Sequence, residues 1–257
     1  SADFVTTGGN YMTDGFGLSA ATQIAYTEND ECNTNDQSSI PLSPCQYVDN
    51  IMEDYYGVTD YHVVADPNDE YIDHIDCWGK FLSPTKLLIR SVPTNHPQFA
   101  MIEEVVDYFS TVVSSAGEPF EIFRVYTPND QPYTNSLILN NKVFVPVMNS
   151  SWDDEALDVY QSALPNYEIL PFTGSWMSTD ALHCRVKGIP DISLYQYSSG
   201  DVNTDNLVNV LDIVLAVNFV LGLDIPSSIQ NSLADMNSDG VLNVLDVILI
   251  VNEVIGE

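Results

Sequence analysis

Basic side chains are scarce in this chain: 7 Lys and Arg residues stand against 37 Asp and Glu residues, a formal net charge of −30 over 257 residues. A protein that binds a nucleic-acid backbone or an anionic lipid surface needs a basic patch. The sequence therefore excludes electrostatic binding to both. Long apolar runs are also missing, since none approaches the roughly 18 to 20 residues that cross a bilayer. We expect no membrane span.

The start of the chain lacks the basic and apolar segments of a secretory leader, because Ser1 is followed directly by polar and turn-forming sequence. We therefore expect a processed or truncated N-terminus. The chain does contain enough apolar material to fold, with 45% hydrophobic and 11% aromatic residues. This composition predicts one large core or two smaller ones rather than a disordered acidic tail.

Four cysteines are present, and two of them bracket a short polar loop. Cys32 and Cys45 suit a surface disulfide formed in an oxidising compartment, and the alternative is two free thiols. We expect Cys77, which lies in an apolar run before Trp78, to be a buried thiol outside any disulfide.

The acidity is uneven along the chain and marks a domain boundary. All seven Lys and Arg residues lie at or before Lys187, whereas residues 200–257 contain nine acidic residues and no Lys, Arg or His. Small polar residues between these parts are typical of a short linker. We therefore predict a first domain over residues 1–193, a linker over 194–199 and a second domain over 200–257.

Within the first domain, the order strand, strand, helix, strand recurs three times. Such repetition indicates an α/β fold arranged around an axis. The alternative is an ordinary α+β domain. The predicted elements are Phe4–Tyr26, Gln46–Tyr56 and Tyr61–Ala65, then Tyr71–Trp78, Lys86–Val92, Gln98–Val113 and Phe120–Tyr126, then Ser136–Val147, Asp153–Leu164 and Tyr167–Phe172, with Ala181–Ile189 as the start of a fourth repeat.

Three segments of this domain carry candidate chemistry. In a strand, His74 and Asp76 would share one face and form a site; the alternative is a structural histidine paired with a surface acid. Cys184 neighbours His183 and two cationic residues, a setting that lowers a thiol pKa and yields a nucleophilic thiolate. The alternative for this cysteine is an inert thiol. The third segment is the glycine-rich run over residues 7–10.

The stretches GGNYMTDGFG, DHIDCWGKFLSPTKLLI, NSLILNNKVFVPV and TDALHCRVKGIPD, in this order, resemble the bacterial peptidylarginine deiminase family, relatives of agmatine deiminase in the guanidine-modifying pentein superfamily. The resemblance covers nearly all of residues 1–191. It implies a propeller of ββαβ units around a pseudo-five-fold axis, of which about three of five units are present here. The resemblance therefore agrees with the repeated pattern of elements.

The resemblance also implies roles for individual residues. Cys184 would attack the guanidinium carbon and form a covalent thiouronium intermediate. His74 would act as general acid for the departing ammonia and then as base for the hydrolytic water. Asp76 would bind the substrate guanidinium. Agmatine-specific relatives have a Glu before the paired glycines, where this chain has Thr7, which favours an arginine-containing peptide as substrate.

One expected part of the family site is absent from the sequence. A second guanidinium-binding carboxylate belongs to an early Trp-x-Arg-Asp segment that does not occur here. An N-terminal fragment of the same precursor or another subunit would supply it, or the site is inactive. We expect the chain alone to release little or no ammonia. The alternative function is a structural or assembly protein, for example filament-forming, that reuses the fold.

The second domain contains two loops 34 residues apart with oxygen ligands at positions 1, 3, 5 and 12 and a backbone carbonyl at position 7. This spacing is typical of EF-hand-like calcium sites. The alternative is a pair of solvated loops that cap helices. We predict two Ca²⁺ ions and no organic cofactor. The predicted ligands are Asp201, Asn203, Asp205, Leu207 and Asp212 in the first loop, and Asp235, Asn237, Asp239, Val241 and Asp246 in the second.

Each loop leads into an apolar helix, predicted over Val210–Leu221 and Val244–Ile255. This paired arrangement resembles the dockerin type I module, which implies a small all-α calcium-binding domain on a secreted protein. The resemblance implies a cohesin-like partner. Positions 10 and 11 of each loop are Val-Leu rather than the small hydroxylated pair of cellulosomal dockerins, so the first domain or a neighbouring copy is the alternative partner.

Overall fold

The computed structural model describes residues 4–29, 32, 38–69, 71–187 and 197–256, and these divide into two compact units, Ser1–Val186 and Lys187–Glu257. Residues 194–196 of the predicted linker lie outside the described residues. Within the described residues, no helix is long and apolar enough to cross a membrane.

The first unit is built from three copies of one supersecondary pattern. In each copy an antiparallel strand pair is followed by a helix and by a third strand that pairs parallel with the second. The first repeat comprises β1 (Met12–Thr13), β2 (Leu18–Thr22), α1 (Ile24–Thr27), α2 (Gln46–Tyr56) and β3 (Asp60–Val64). The second comprises β4 (Gly79–Ser83), β5 (Lys86–Ser91), α3 (Phe99–Thr111) and β6 (Glu121–Tyr126). The third comprises β7 (Leu137–Leu139), β8 (Lys142–Val147), α4 (Asp153–Ala163) and β9 (Glu168–Thr173).

The pairing of the strands requires a tight turn and a helical crossover in a repeat. The hairpin of the third repeat turns at Asn140, whose positive φ of 54° suits the tight connection between β7 and β8. The parallel partner then requires a crossover, which the helix provides. Cores are shared between repeats: Leu18 and Val64 of the first pack in one cluster with Ile89 and Ile102 of the second. The predicted ββαβ architecture is confirmed.

One segment of the second repeat departs from the prediction. Residues 71–78 were expected to form a strand, but they form a turn followed by a short 3-10 helix, Ile75–Cys77, and the strand begins only at Gly79. Asp73 has a positive φ of 49°, which an extended strand does not tolerate. His74 and Asp76 are therefore not related by the alternation of a strand.

The end of the first unit also differs from the expected start of a fourth repeat. Residues Leu182–Arg185 form a single helical turn, α5, rather than a strand. Residues 188 and 189 of the expected element lie outside the described part of the chain. α5 places Cys184 beside the 3-10 helix that carries Asp76, as the contacts of the site show.

The second unit contains three helices within its described residues: α6 (Val210–Val220), α7 (Ser228–Ala234) and α8 (Val244–Ile255). Asn209 and Asn243 cap α6 and α8, and each helix begins with a complete capping box. A small core of Val202, Ala216 and Ile250 holds the helices together. The two predicted apolar helices are confirmed to within one residue.

The structure contains the disulfide between Cys32 and Cys45, with a Cα–Cα distance of 5.4 Å. The bond connects the segment before α2 to the loop after α1. Cys77 is buried and Cys184 is exposed, and both remain thiols.

Candidate active site

Asp76 lies at the centre of the candidate site and is fully buried. Its Oδ2 atom is 2.7 Å from Nδ1 of His183 and accepts a hydrogen bond from the Cys184 thiol at 3.4 Å. Its Oδ1 accepts a longer hydrogen bond of 3.6 Å from the Cys77 thiol. The 3-10 helix thus turns this carboxylate inward, where three side chains from the chain itself surround it.

Cys184 is exposed as a residue, but its sulfur faces inward. Nδ2 of Asn135 donates to Sγ at 3.1 Å, and the Thr179 carbonyl accepts from the thiol at 3.8 Å. Burial and the negative charge of Asp76 raise the pKa of the Cys184 thiol. The prediction from sequence that cationic neighbours lower this pKa is therefore wrong. The Asp76 carboxylate lies against the sulfur, and the residues next to Cys184 in the sequence gave no sign of this contact.

An open cleft of about 350 Å³ lies above Cys184. His74 and Cys184 both line it, so two of the three predicted catalytic residues face the same space while Asp76 lies buried beneath. The lining residues are Gly9, Tyr71, Ile72, His74, Thr179, Asp180 and Cys184.

Gly9 permits the close packing of this site. A Cβ atom at Gly9 would lie 2.4 Å from His74 Nδ1 and 3.1 Å from Asp76 Oδ2. Any larger residue would displace the imidazole. Gly9 is therefore a structural partner of the His74–Asp76 segment, although Gly9 and His74 lie 65 positions apart in the sequence.

Two residues of the site were missed in the sequence. Asn135 is fully buried and binds the backbone of α5: its carbonyl accepts from the His183 N–H at 3.1 Å, and its Oδ1 accepts from the Cys184 N–H at 3.3 Å. The NSLILNN stretch contains Asn135, but the contact with Cys184 joins segments that are 49 positions apart. Lys80 is also buried, and desolvation lowers its pKa to about 8, opposed by the negative charges of Asp76 and Cys184.

The calcium-binding prediction concerns the second unit. Position 6 of each loop has the expected left-handed backbone, with φ of 70° at Asn206 and 79° at Gly240. Asp201, Asp212 and Asp246 are fully buried. The hard oxygen donors of the two loops fit Ca²⁺ in type and spacing.

The carboxylates of these loops bind backbone amides in the structure. Asp212 accepts from the N–H groups of Asn203 and Asn209, and Asp201 accepts from those of Asp205 and Asn206. Among the described residues no group of three or more His, Cys, Asp or Glu side chains is placed to hold a metal ion. The predicted donors of each loop are three Asp side chains, one Asn side chain and one backbone carbonyl.

The repeated ββαβ architecture defines this chain as an α/β protein with a pentein-like fold, and comparisons with solved structures agree. A solved structure of agmatine deiminase from Enterococcus faecalis superimposes with a TM-score of 0.57 at 19% identity, covering 67% of this chain and 53% of that one. The agmatine deiminase of C. jejuni gives the same TM-score at 16% identity, over 71% and 54% of the two chains. These likenesses show the shared pentein-type fold.

The sequence comparisons identify the family. The chain belongs to the Porphyromonas-type peptidyl-arginine deiminase family, whose profile matches residues 1–190, and a dockerin type I domain follows at residues 199–255. The agmatine deiminase of Medicago truncatula is 25% identical over 229 residues, covering 75% of this chain. The chain spans 59% of the length of that relative.

The dockerin domain carries general properties of its class. Dockerin type I domains bind calcium, they occur in extracellular and cell-surface proteins of the cellulosome type, and they imply a cohesin partner. The predicted resemblance to both families is thus confirmed for the chain.

Proposed function

We propose that this protein hydrolyses the guanidinium group of arginine residues in peptides, which converts them to citrulline residues and releases ammonia. The observation that carries the proposal is the shared cleft, in which Cys184 and His74 face the same space above the Asp76 carboxylate. A nucleophile, a side chain that can donate and accept a proton, and a carboxylate are the parts that a covalent deimination requires. Family membership supports the same reaction.

In the proposed reaction the Cys184 sulfur bonds to the guanidinium carbon as the thiol proton passes to His74. His74 donates a proton to the departing amino group, so the C–N bond breaks and ammonia leaves. Water then adds to the thiouronium carbon as His74 accepts its proton. The C–S bond breaks, and the thiol and the urea group of citrulline are formed.

Asp76 would bind the positive guanidinium during this sequence. It is buried in the structure, with His183 and Cys184 on the same oxygen. A guanidinium that reaches Asp76 therefore has to replace one of these donors. Asn135 would keep the Cys184 backbone and sulfur in place while this exchange occurs.

We further propose that the protein is secreted, that an N-terminal segment of the same precursor supplies a second carboxylate, and that the dockerin domain binds two Ca²⁺ ions and a cohesin-like module. The Cys32–Cys45 disulfide supports an oxidising compartment. The apolar Val210 and Leu211 are 61% and 59% exposed on α6, which favours a partner with an apolar face. The matching pair in the second loop is exposed as well.

Ammonia release from an arginine peptide and from agmatine, with citrulline formation within the peptide, tests the function. We expect the chain alone to be nearly inactive, and we expect activity with the arginine peptide when an N-terminal segment that supplies the second carboxylate is added. Cys184→Ala should then abolish activity, and His74→Ala should reduce it by about 10²- to 10⁴-fold. His96→Ala is the matched control, since His96 pairs with Asp130 outside the cleft. Absence of activity with and without that segment would contradict the proposal.

A further inference from the structure

The guanidinium of Arg185 is bound to a carboxylate at the entrance of the cleft. Nε of Arg185 donates to Oδ1 of Asp180 at 2.9 Å, and its Nη2 donates to Oδ2 at 2.7 Å. Two parallel N–H···O bonds are the geometry in which a carboxylate recognises a guanidinium. Arg185 directly follows Cys184, and Asp180 lines the same cleft as Cys184.

Two further groups complete the surroundings of this guanidinium. The Trp176 ring lies 5.0 Å from Cζ of Arg185, and the Ser175 carbonyl accepts from Nη2 at 3.5 Å. The indole is itself fixed, since its Nε1 donates to the Phe172 carbonyl at 2.9 Å. A carboxylate, a carbonyl and an aromatic face are each complementary to a guanidinium. Together they form a pocket of the right chemistry beside the thiol.

The backbone places this pocket and the thiol on one support. Met177 and Asp180 exchange backbone hydrogen bonds of 3.1 and 3.2 Å, which closes a tight turn. Within that turn, the Thr179 carbonyl accepts from the Cys184 thiol. A ligand bound at Asp180 is therefore held by the same turn that contacts the nucleophile.

Displacement of the Arg185 guanidinium from Asp180 should cost little free energy. The side chains of Arg185 and Asp180 are 46% and 44% exposed, and exposed ion pairs contribute little to stability. The hydrogen bonds from Arg185 hold the pKa of Asp180 below its usual range, so the carboxylate stays charged. Asp76, in contrast, is buried and already engaged by His183 and Cys184.

We propose that Asp180, Ser175 and Trp176 form a guanidinium-binding subsite for the arginine side chain of the substrate, and that Arg185 occupies this subsite until the substrate displaces it. The identity of the ligand rests on the proposed function, whereas the occupied subsite rests on the contacts of Arg185. Asp180 thereby supplies an accessible carboxylate at the entrance of the cleft.

Binding of Nα-acetyl-arginine amide to the full chain tests the subsite. Isothermal titration is performed in a Cys184→Ala background, so that no turnover occurs. Arg185→Gln empties the subsite and should tighten binding about tenfold, and Asp180→Asn should weaken it on the order of tenfold. In the Asp180→Asn chain, the added Arg185→Gln change should give no gain. Nα-acetyl-citrulline amide, the neutral counterpart, should not respond to either substitution.

Arg124→Gln is the matched control, because Arg124 makes the same kind of two-bond pair with Glu103 away from the cleft. This variant should leave the affinity unchanged. Asp180→Glu keeps the charge and should retain binding, and thermal midpoints equal to that of the parent exclude misfolding as the cause of a loss. Equal affinities of the parent and Arg185→Gln chains, or undiminished binding by Asp180→Asn, would overturn the subsite. Binding that depends on Asp180, without any ammonia release from the Cys184 chain even when the N-terminal segment is added, would support the subsite and overturn the proposed function instead.

Discussion

Two buried carboxylates, one in each unit, are neutralised in different ways. Asp76 of the first unit contacts side chains that belong to its own fold, namely His183 and Cys184, with the buried Lys80 contributing a nearby positive charge. Asp212 of the second unit accepts only from backbone amides among the hydrogen bonds of the described residues. No basic residue lies anywhere between residues 200 and 257.

The difference shows which carboxylate needs a positive charge from outside the chain. Asp76 in the first unit has its compensating groups within the chain, so it needs no external cation. In the second unit, three aspartates of the first loop share one short segment without any cation of the chain. Such a cluster is costly unless a metal ion compensates it. The comparison therefore supports calcium binding as the structural requirement of the second unit.

Of the changes considered, removal of calcium should have the largest effect on the structure. Absence of an effect would contradict the difference drawn between the carboxylates of the two units. Chelator added to the full chain should remove the circular dichroism of α6 and α8, because the loop aspartates then repel one another. Calcium at 100 times its dissociation constant would stabilise the folded unit by about 2.7 kcal/mol.

Asp212→Asn and Asp246→Asn should weaken the response to calcium, because each removes a charge from a buried ligand position. Asp224→Asn is the control, since Asp224 is exposed between the loops and outside both ligand sets. A helical signal that stays constant across the whole chelator titration would contradict calcium dependence.

The repeats were predictable from the sequence because each helix carries a regular apolar face. Helix α2 begins and ends where the pattern predicts, over Gln46–Tyr56. Its left-handed cap at Gly57, with φ of 68°, is the kind of local signal that the sequence carries. Element type and order depend on such neighbours in sequence, and they were predicted correctly for the long helices and for the strands other than β4. The short helices α1, α5 and α7 were not predicted.

The site was less predictable because its contacts join distant segments. His183 and Cys184 reach Asp76 across 107 and 108 positions, and Asn135 reaches Cys184 across 49. Adjacency along the chain suggested that Arg185 lowers the thiol pKa, but this guanidinium points to Asp180 instead. The alternation of His74 and Asp76 was read as a strand, but the segment is a 3-10 turn over Ile75–Cys77 with His74 as its N-cap.

The second prediction sharpens the comparison by testing how closely the first site is packed. Gly9→Ala should lower kcat/KM of the reconstituted enzyme by roughly 10- to 100-fold. The new methyl group would displace the His74 ring, and misplacement of a catalytic group by about 1 Å can lower the rate by this amount. Gly8→Ala is the matched control, because a Cβ there meets nothing within 4 Å. Equal losses from the two substitutions would indicate a general backbone effect rather than contact with His74.

The third prediction has the smallest expected effect and concerns the charge of Asp76. Burial and Asp76 raise the pKa of the Cys184 thiol, so its thiolate fraction should grow only above the ordinary thiol pKa of about 8.5. Alkylation by iodoacetamide, followed for the Cys184 peptide by mass spectrometry, should therefore be slow at pH 7 and increase as the pH rises.

Asp76→Asn removes a negative charge near the sulfur, and the midpoint of this alkylation profile should move to lower pH. For each pH unit of that movement, the rate at pH 7 should increase by up to about tenfold, since the rate follows the thiolate fraction. Glu104→Gln, an exposed change on α3, should leave the midpoint in place. A midpoint that stays constant or rises in Asp76→Asn would show that the carboxylate does not act on the thiol. Asp76 would then not be compensated within the first unit in the way that distinguishes it from the calcium loops.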